Sequence, residues 1–199
     1  MICKFPDYMK QFYQQIIEVS LHLMSTDVRV ETVALQVISA TFERLGLEND
    51  QYLHNSLFSI FSSMHFYRNN TKNKVIPVQI TKAILIFFAT FMINFGTDKL
   101  IAAADGIQPG ILFMIMKSEG DKIKFCNSPA RDRKYVIAAF TNLLRERTQQ
   151  FIEDSCKNVV SSLIELCFKQ AISPIYGGAN MGNAEEMLME GAVDQTFAF

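Results

Sequence analysis

Ile80-Thr81-Lys82-Ala83-Ile84-Leu85-Ile86-Phe87-Phe88-Ala89-Thr90-Phe91-Met92-Ile93-Asn94-Phe95-Gly96 decides the fold. From Ala83 to Phe95 it is apolar nearly all the way round, and a helix without a polar face must be enclosed on most sides. A membrane span would need about 18 or more uninterrupted apolar residues. Lys82, Thr90, Asn94 and Gly96 box this run in. A buried central helix, opened by Pro77, is therefore expected, and a membrane-embedded helical protein is the competing class.

Amphipathic helices flank it on both sides. Upstream, Met9, Phe12, Ile16, Val19 and Leu23 recur at alternating steps of three and four, which predicts one helix from Pro6 to about Met24. After the capping group Ser25-Thr26-Asp27, a second helix carries Val30, Val33, Ala34, Val37, Ile38, Thr41, Phe42 and Leu45 to a stop at Gly46. A third runs from Asn49-Asp50 through Leu57, Ile60, Phe61 and Met64 to about Arg68, followed by a polar connector from Asn69 to Lys74. Downstream of Gly96 come a short helix from Asp98 to Ala104, a break at Asp105-Gly106, and an apolar element that Pro109 can start and Gly120 interrupts. Ser128-Pro129 then opens a helix to about Arg147. The last long helix, Gln149 to Lys169, places Ile152, Cys156, Val159, Leu163 and Leu166 on one stripe.

No segment shows two-residue alternation with hairpin turns, so the chain is expected to be all-α. The helices also repeat. Ala34-Leu35-Gln36-Val37-Ile38-Ser39-Ala40-Thr41-Phe42 aligns with Ala83-Ile84-Leu85-Ile86-Phe87-Phe88-Ala89-Thr90-Phe91, and less closely with Val136-Ile137-Ala138-Ala139-Phe140-Thr141. The offset is about 50 residues, just above the period of about 40 to 47 for HEAT and armadillo hairpins, and the Asn69 to Lys74 loop absorbs the excess. The expected fold is an α-solenoid of about three to four HEAT-type helical hairpins, a right-handed superhelix fragment. It should span residues 1–170, with a flexible Gly-rich spacer and an acidic tail over 171–199.

Composition narrows the partner. The chain has 199 residues, 49% of them apolar, enough for a sizeable core. A formal net charge of −1 removes the broad attraction on which nucleic-acid binding relies, so a protein partner is expected. Met1 to Lys10 has no apolar core like that of a signal peptide, and the four cysteines form no C-x-x-C pair. They read as reduced thiols of a chain in the cytosol or nucleus, where the Asn69-Asn70-Thr71 sequon would be accidental.

Reactive constellations are missing from the pattern. His54 and His65 lie eleven residues apart on one predicted helix, about 16 Å, too far to share a metal. Glu153-Asp154 and Glu185-Glu186 are sequence neighbours that point to different helix sides. The glycines of Tyr176 to Gly182 follow a proline-broken helix and lack the Lys-Ser or Lys-Thr of a phosphate loop. Lys117, Lys122, Lys124, Arg131, Arg133 and Lys134 make the basic region, diluted by Glu119, Asp121 and Asp132. No enzyme and no cofactor are expected.

Thr81-Lys82-Ala83-Ile84-Leu85-Ile86-Phe87, Ile93-Asn94-Phe95-Gly96, Asp105-Gly106-Ile107-Gln108-Pro109 and Phe113-Met114-Ile115-Met116 resemble the C-terminal part of the CAS exportins. These are importin-α re-exporters of the importin-β superfamily. Val136-Ile137-Ala138, Thr141-Asn142-Leu143-Leu144 and, more distantly, Asp194 to Phe199 continue the likeness. The resemblance implies a nuclear transport receptor that shuttles between nucleus and cytoplasm, carrying importin-α out together with RanGTP. Such a receptor is several times longer than this chain, and the repeats that hold much of Ran lie toward its N-terminus. Importin-α and Ran binding are therefore expected of the complete receptor.

In a solenoid, second helices line a wall that can wrap a protein. Here they should start near Asp27, Pro77 and Ser128, with Arg29, Arg44, Lys82, Arg133, Lys134, Arg145 and Arg147 as candidate contacts to cargo or Ran. In the family-signature loop Asp105-Gly106-Ile107-Gln108-Pro109, Gly106 is expected to take a backbone form that other residues resist, and Pro109 to fix the next helix start. The alternative is a HEAT-repeat scaffold subunit of another complex, without a nucleotide-switched partner. The apolar face of the first helix, with Phe12, Ile16 and Val19, predicts self-association of the isolated chain.

Overall fold

The computed structural model describes residues 6–24, 27–71, 75–127, 129–151 and 153–172. Helix α1 (Pro6–Lys10) is followed by α2 (Tyr13–Leu23), α3 (Val28–Leu45), α4 (Asp50–Asn70), α5 (Val78–Phe95), α6 (Thr97–Asp105) and α7 (Ile111–Glu119). A 3-10 turn (Gly120–Phe125), α8 (Ala130–Arg147), a second 3-10 turn (Thr148–Gln150) and α9 (Glu153–Ile172) complete the described chain, in which no strand occurs. Ser25, Thr26, the end of the connector at Lys74, Ser128 and Ile152 fall outside the described residues. So do Cys3, the Gly-rich spacer and the acidic tail.

The helices pair and stack as repeats. Second helices α3, α5 and α8 lie side by side, α5 between the other two. First helices α1 and α2, then α4, then α6 and α7, form the opposite layer, and α9 packs on α7, on the first 3-10 turn and on α8. Among the described residues this makes three stacked hairpins with α9 packed on the third, the helical repeat expected from the sequence. Sequence signals set the boundaries. The Asp27 carboxylate accepts from Arg29 N at 2.9 Å to start α3, and Asn49 Oδ1 accepts from Gln51 N at 2.8 Å to start α4. Gly46 (φ 87°) and Gly96 (φ 92°) end α3 and α5 at matching places.

Packing explains why α5 has no polar face. Val78–Phe95 has a mean hydropathy of 1.7, enough by length and composition for a span, yet 61% of it is buried against other helices. Phe42 of α3 meets Phe87 and Phe91 with ring centroids 6.1 and 6.2 Å apart, and Phe91 meets Phe95 at 4.7 Å.

The first helix differs from its sequence reading. It breaks at Gln11 and Phe12, and the residues it buries are Tyr13, Ile17 and Ser20, with Met24 just after. The predicted stripe is turned outward, leaving Val19 60% and Phe12 38% exposed. Tyr13 sets this rotation: its hydroxyl donates to the Gly46 carbonyl at 3.0 Å and its ring meets Tyr52 at 5.4 Å. Val30 and Val33 of α3 are exposed as well. The last helix starts at Glu153 rather than Gln149, because the chain tightens over Thr148–Gln150 and turns Phe151 edge-on to Phe113, 5.2 Å away. It extends to Ile172.

Candidate protein-interaction surface

The candidate contacts sit on the second-helix layer but are not alike. Arg29 and Arg44 lie exposed at the two ends of α3, and Lys134 is exposed in the second turn of α8. Arg145 is exposed beside Glu146, 3.2 Å away. Arg147, by contrast, pairs with Asp98 at the start of α6 and fastens α8 to it. Arg133 is half-buried and donates to the Asn127 carbonyl at 3.4 Å, and Lys82 is half-buried on α5. Cys126, at the entry of α8, lies 4.0 Å from the Lys82 carbonyl, so α5 and α8 run in the same direction. Lys82 and Arg133 thus lie toward one rim of the layer and Arg145 toward the other. Burial raises the Asp132 carboxyl above its ordinary range, while Arg131 and Lys82 nearby pull it down.

The basic region is mostly engaged. Lys122 binds Glu119 at 2.6 Å, Arg131 binds Glu43 at 2.6 Å, and Lys124 lies over the Phe125 ring at 5.4 Å. Glu43 and Glu119, with side chains 7% and 6% exposed, join Glu31 as covered carboxylates whose inward placement the sequence reading did not anticipate. Glu31, fully buried on α3, accepts from Ser63 and from Tyr67 OH (3.0 Å) on α4. Glu119 accepts from Arg68 of α4 at 2.9 Å and from Thr81 of α5 at 3.4 Å. Each clamps neighbouring hairpins together. A signal for Glu31 was present: it falls three and four residues before Ala34 and Leu35, inside the buried arc of α3.

The Asp105 to Pro109 loop is a compact helix end. Asp105 Oδ1 accepts from Gly110 N at 2.8 Å, and Ile107 N and Gln108 N both donate to the Ala104 carbonyl at 3.0 Å. Gly106 is in the right-handed helical region (φ −64°, ψ −21°), which any residue adopts, so the expectation that it needs special backbone freedom is corrected. That freedom is used at Gly110 (φ 72°), which caps α7 and so takes over the start expected of Pro109. Ile107 packs toward the core, while Asp105, Gln108 and Pro109 stay exposed. Next to the loop, α4 and α6 flank a cleft of about 370 Å³ lined by Asp50, Leu53, His54, Lys99 and Ala102. The 2.8 Å Lys99–Asp50 ion pair is part of that lining.

Among the described residues no group of three His, Cys, Asp or Glu side chains could hold a metal ion. Cys126, Cys156 and Cys167 are free thiols, and burial pushes the Cys126 thiol up to about 12. What the geometry offers is a broad helical face with charged rims.

A family model described as CAS/CSE protein, C-terminus, matches residues 6–198. The chain belongs to the CAS/CSE family. Its helical stack is thus part of an exportin-type transport receptor, and the match to the CAS/CSE C-terminus continues through residues beyond α9. No curated protein matches the chain, and no solved structure does.

Proposed function

We propose that this chain is an importin-α-binding part of a receptor that re-exports importin-α from the nucleus with RanGTP, and that it acts through its second-helix layer. The observation that carries the reading is the CAS/CSE match across residues 6–198. The mechanism is binding by surface, without catalysis or a cofactor. Small changes in packing angle between hairpins add up along a solenoid, so a partner bound elsewhere on the receptor can alter the fit of this face to cargo. Arg29, Arg44, Lys134 and Arg145 are the contacts best placed for this, because each projects from the layer. Arg133 and Arg147 act mainly by holding the layer in shape, through the Asn127 carbonyl and Asp98, and Lys82, half-buried on α5, is the less accessible contact.

The receptor shuttles between nucleus and cytoplasm on this reading, and neither nucleic acid nor membrane is a partner. The binding stack on this reading comprises α1 to α9, and because α9 extends to Ile172 it passes the boundary expected at residue 170. Capture of importin-α by the complete receptor, with and without RanGTP, tests the proposal when repeated with Arg29→Glu, Arg44→Glu and Lys134→Glu. RanGTP-dependent capture weakened by these variants is expected. Capture of an unrelated protein regardless of nucleotide would overturn it in favour of a scaffold.

A further inference from the structure

The second-helix layer contains one contact that a solenoid does not require. In a repeat stack each unit touches only its neighbours, yet Glu43 near the end of α3 is held by two residues of α8. Arg131 Nη2 donates to one carboxylate oxygen at 2.6 Å, and Tyr135 OH donates to the other at 3.2 Å. The first and third hairpins are thereby joined directly, past α5. The two sides are unequally covered: the Glu43 side chain is 7% exposed, whereas that of Arg131 is 47% exposed. Arg131 also lies 5.4 Å over the Tyr135 ring and 3.7 Å from Asp132. Glu43 also lines, with Ser39 and Phe42 of α3 and Phe87, Thr90, Phe91 and Phe95 of α5, a partly open crevice between those two helices that is too narrow to admit water.

We propose that Glu43, Arg131 and Tyr135 form a latch that holds α3 to α8 across α5, beside this narrow crevice. The unequal burial is what makes it a latch. Water, or a carboxylate on another molecule, can take Arg131 away without disturbing the fold around it. Glu43 has no such freedom, because a carboxylate left in that setting with only a tyrosine hydroxyl is strongly disfavoured. Losing Arg131 lets water reach Glu43 through the space it vacates and removes the tie between α3 and α8, leaving the two helices free to part. The α3–α5 crevice that Glu43 lines together with Phe42, Phe87, Phe91 and Phe95 is then no longer held from the α8 side and widens. Well-packed seams switch between discrete arrangements rather than deforming continuously, so the latch gives this stretch of solenoid a closed and an open state. The device depends only on these side chains, whatever partner the receptor carries.

Hydrogen exchange and binding of an apolar fluorescent dye to the full 199-residue chain test it, comparing wild type with Arg131→Gln and Tyr135→Phe. Arg131→Gln should speed exchange about tenfold or more in the second half of α3 and at the end of α5. Dye fluorescence should rise, while α9 and the first 3-10 turn stay as protected as in wild type. Tyr135→Phe and a salt increase from about 0.1 to about 1 M, which shortens screening from about 10 to about 3 Å, should produce the same local pattern more weakly. Wild-type exchange in both segments of Arg131→Gln would overturn the proposal, as would acceleration spread equally over every helix. Should Arg131→Gln fail to fold, the salt series and Tyr135→Phe decide alone: opening confined to the seam supports the latch, and any other pattern refutes it.

Discussion

Gly120→Ala tests the seating of α9 on the preceding repeat. A Cβ at Gly120 would stand 2.6 Å from Val159 Cγ2, well inside van der Waals contact, and Val159 is fully buried. The backbone at Gly120 is ordinary right-handed helix (φ −62°, ψ −26°), so alanine brings no strain of its own. It even reduces unfolded-chain entropy, worth about 0.5 to 1 kcal/mol. Overpacking of a tight core costs about 1 to 3 kcal/mol. The net expectation is a loss of about 1 to 2 kcal/mol, a fall in Tm of about 2 to 8 °C for a chain of this size. The partner change Val159→Ala removes the opposing methyl groups and costs about 2 kcal/mol alone. Because both changes act on one contact, the double variant should lose at least about 1 kcal/mol less than the sum of the singles. Thermal and denaturant unfolding of the four proteins measures this. A Gly120→Ala variant more stable than wild type, or costs that simply add, would refute the packing of α9 described above.

Other outcomes follow from the same contacts. Burial, together with the Glu31 charge, raises the Tyr67 phenol to about 12 from an ordinary value of 10.0. Since the folded value is the higher one, its stabilisation is complete below pH 10 and is lost as pH rises toward 12. Tyr67→Phe should therefore be less stable at pH 8, with a shallower decline of Tm above pH 10 than wild type; equal slopes would contradict this. Among the described cysteines, exposed Cys167 should react with a thiol reagent in the native chain, whereas Cys126 should react only on unfolding; peptide mapping by mass spectrometry reads both. The open stripe of α2 predicts that the isolated chain self-associates with concentration, and that Phe12→Asp with Val19→Asp reduces this. Light scattering showing a monomer at high concentration before mutation would contradict it.

Local signals carried most of the fold. Asp27, Asn49, Gly46 and Gly96 mark helix ends through contacts within a few residues, and the structure uses each where the pattern places it. The all-round apolarity of Ala83 to Phe95 reported burial, and the shared Ala-Thr-Phe register reported α3 and α5 as equivalent helices. Rotation of the first helix was not legible in the same way. Phe12, Ile16 and Val19 form one plausible stripe and Tyr13, Ile17 and Met24 another, and the choice rests on Gly46 and Tyr52, far along the chain. The surface suffered from the same distance problem. Arg147 and Arg131 look like free cations until folding brings Asp98 and Glu43 beside them, and Glu31 looks solvated until Ser63 and Tyr67 arrive. Charged residues default to the surface in any sequence reading, so buried carboxylates that clamp repeats are the features it hides best.

The central claim, that this helical stack serves a RanGTP-linked carrier of importin-α, is tested most directly by titration. The affinity of the complete receptor for importin-α should be measured at saturating RanGTP, at saturating RanGDP and without Ran. Linkage requires that RanGTP tighten importin-α binding and that importin-α tighten RanGTP binding by the same factor, with about 5- to 150-fold typical of such coupling. Equal importin-α affinity in all three conditions, or no binding in any, would contradict the account.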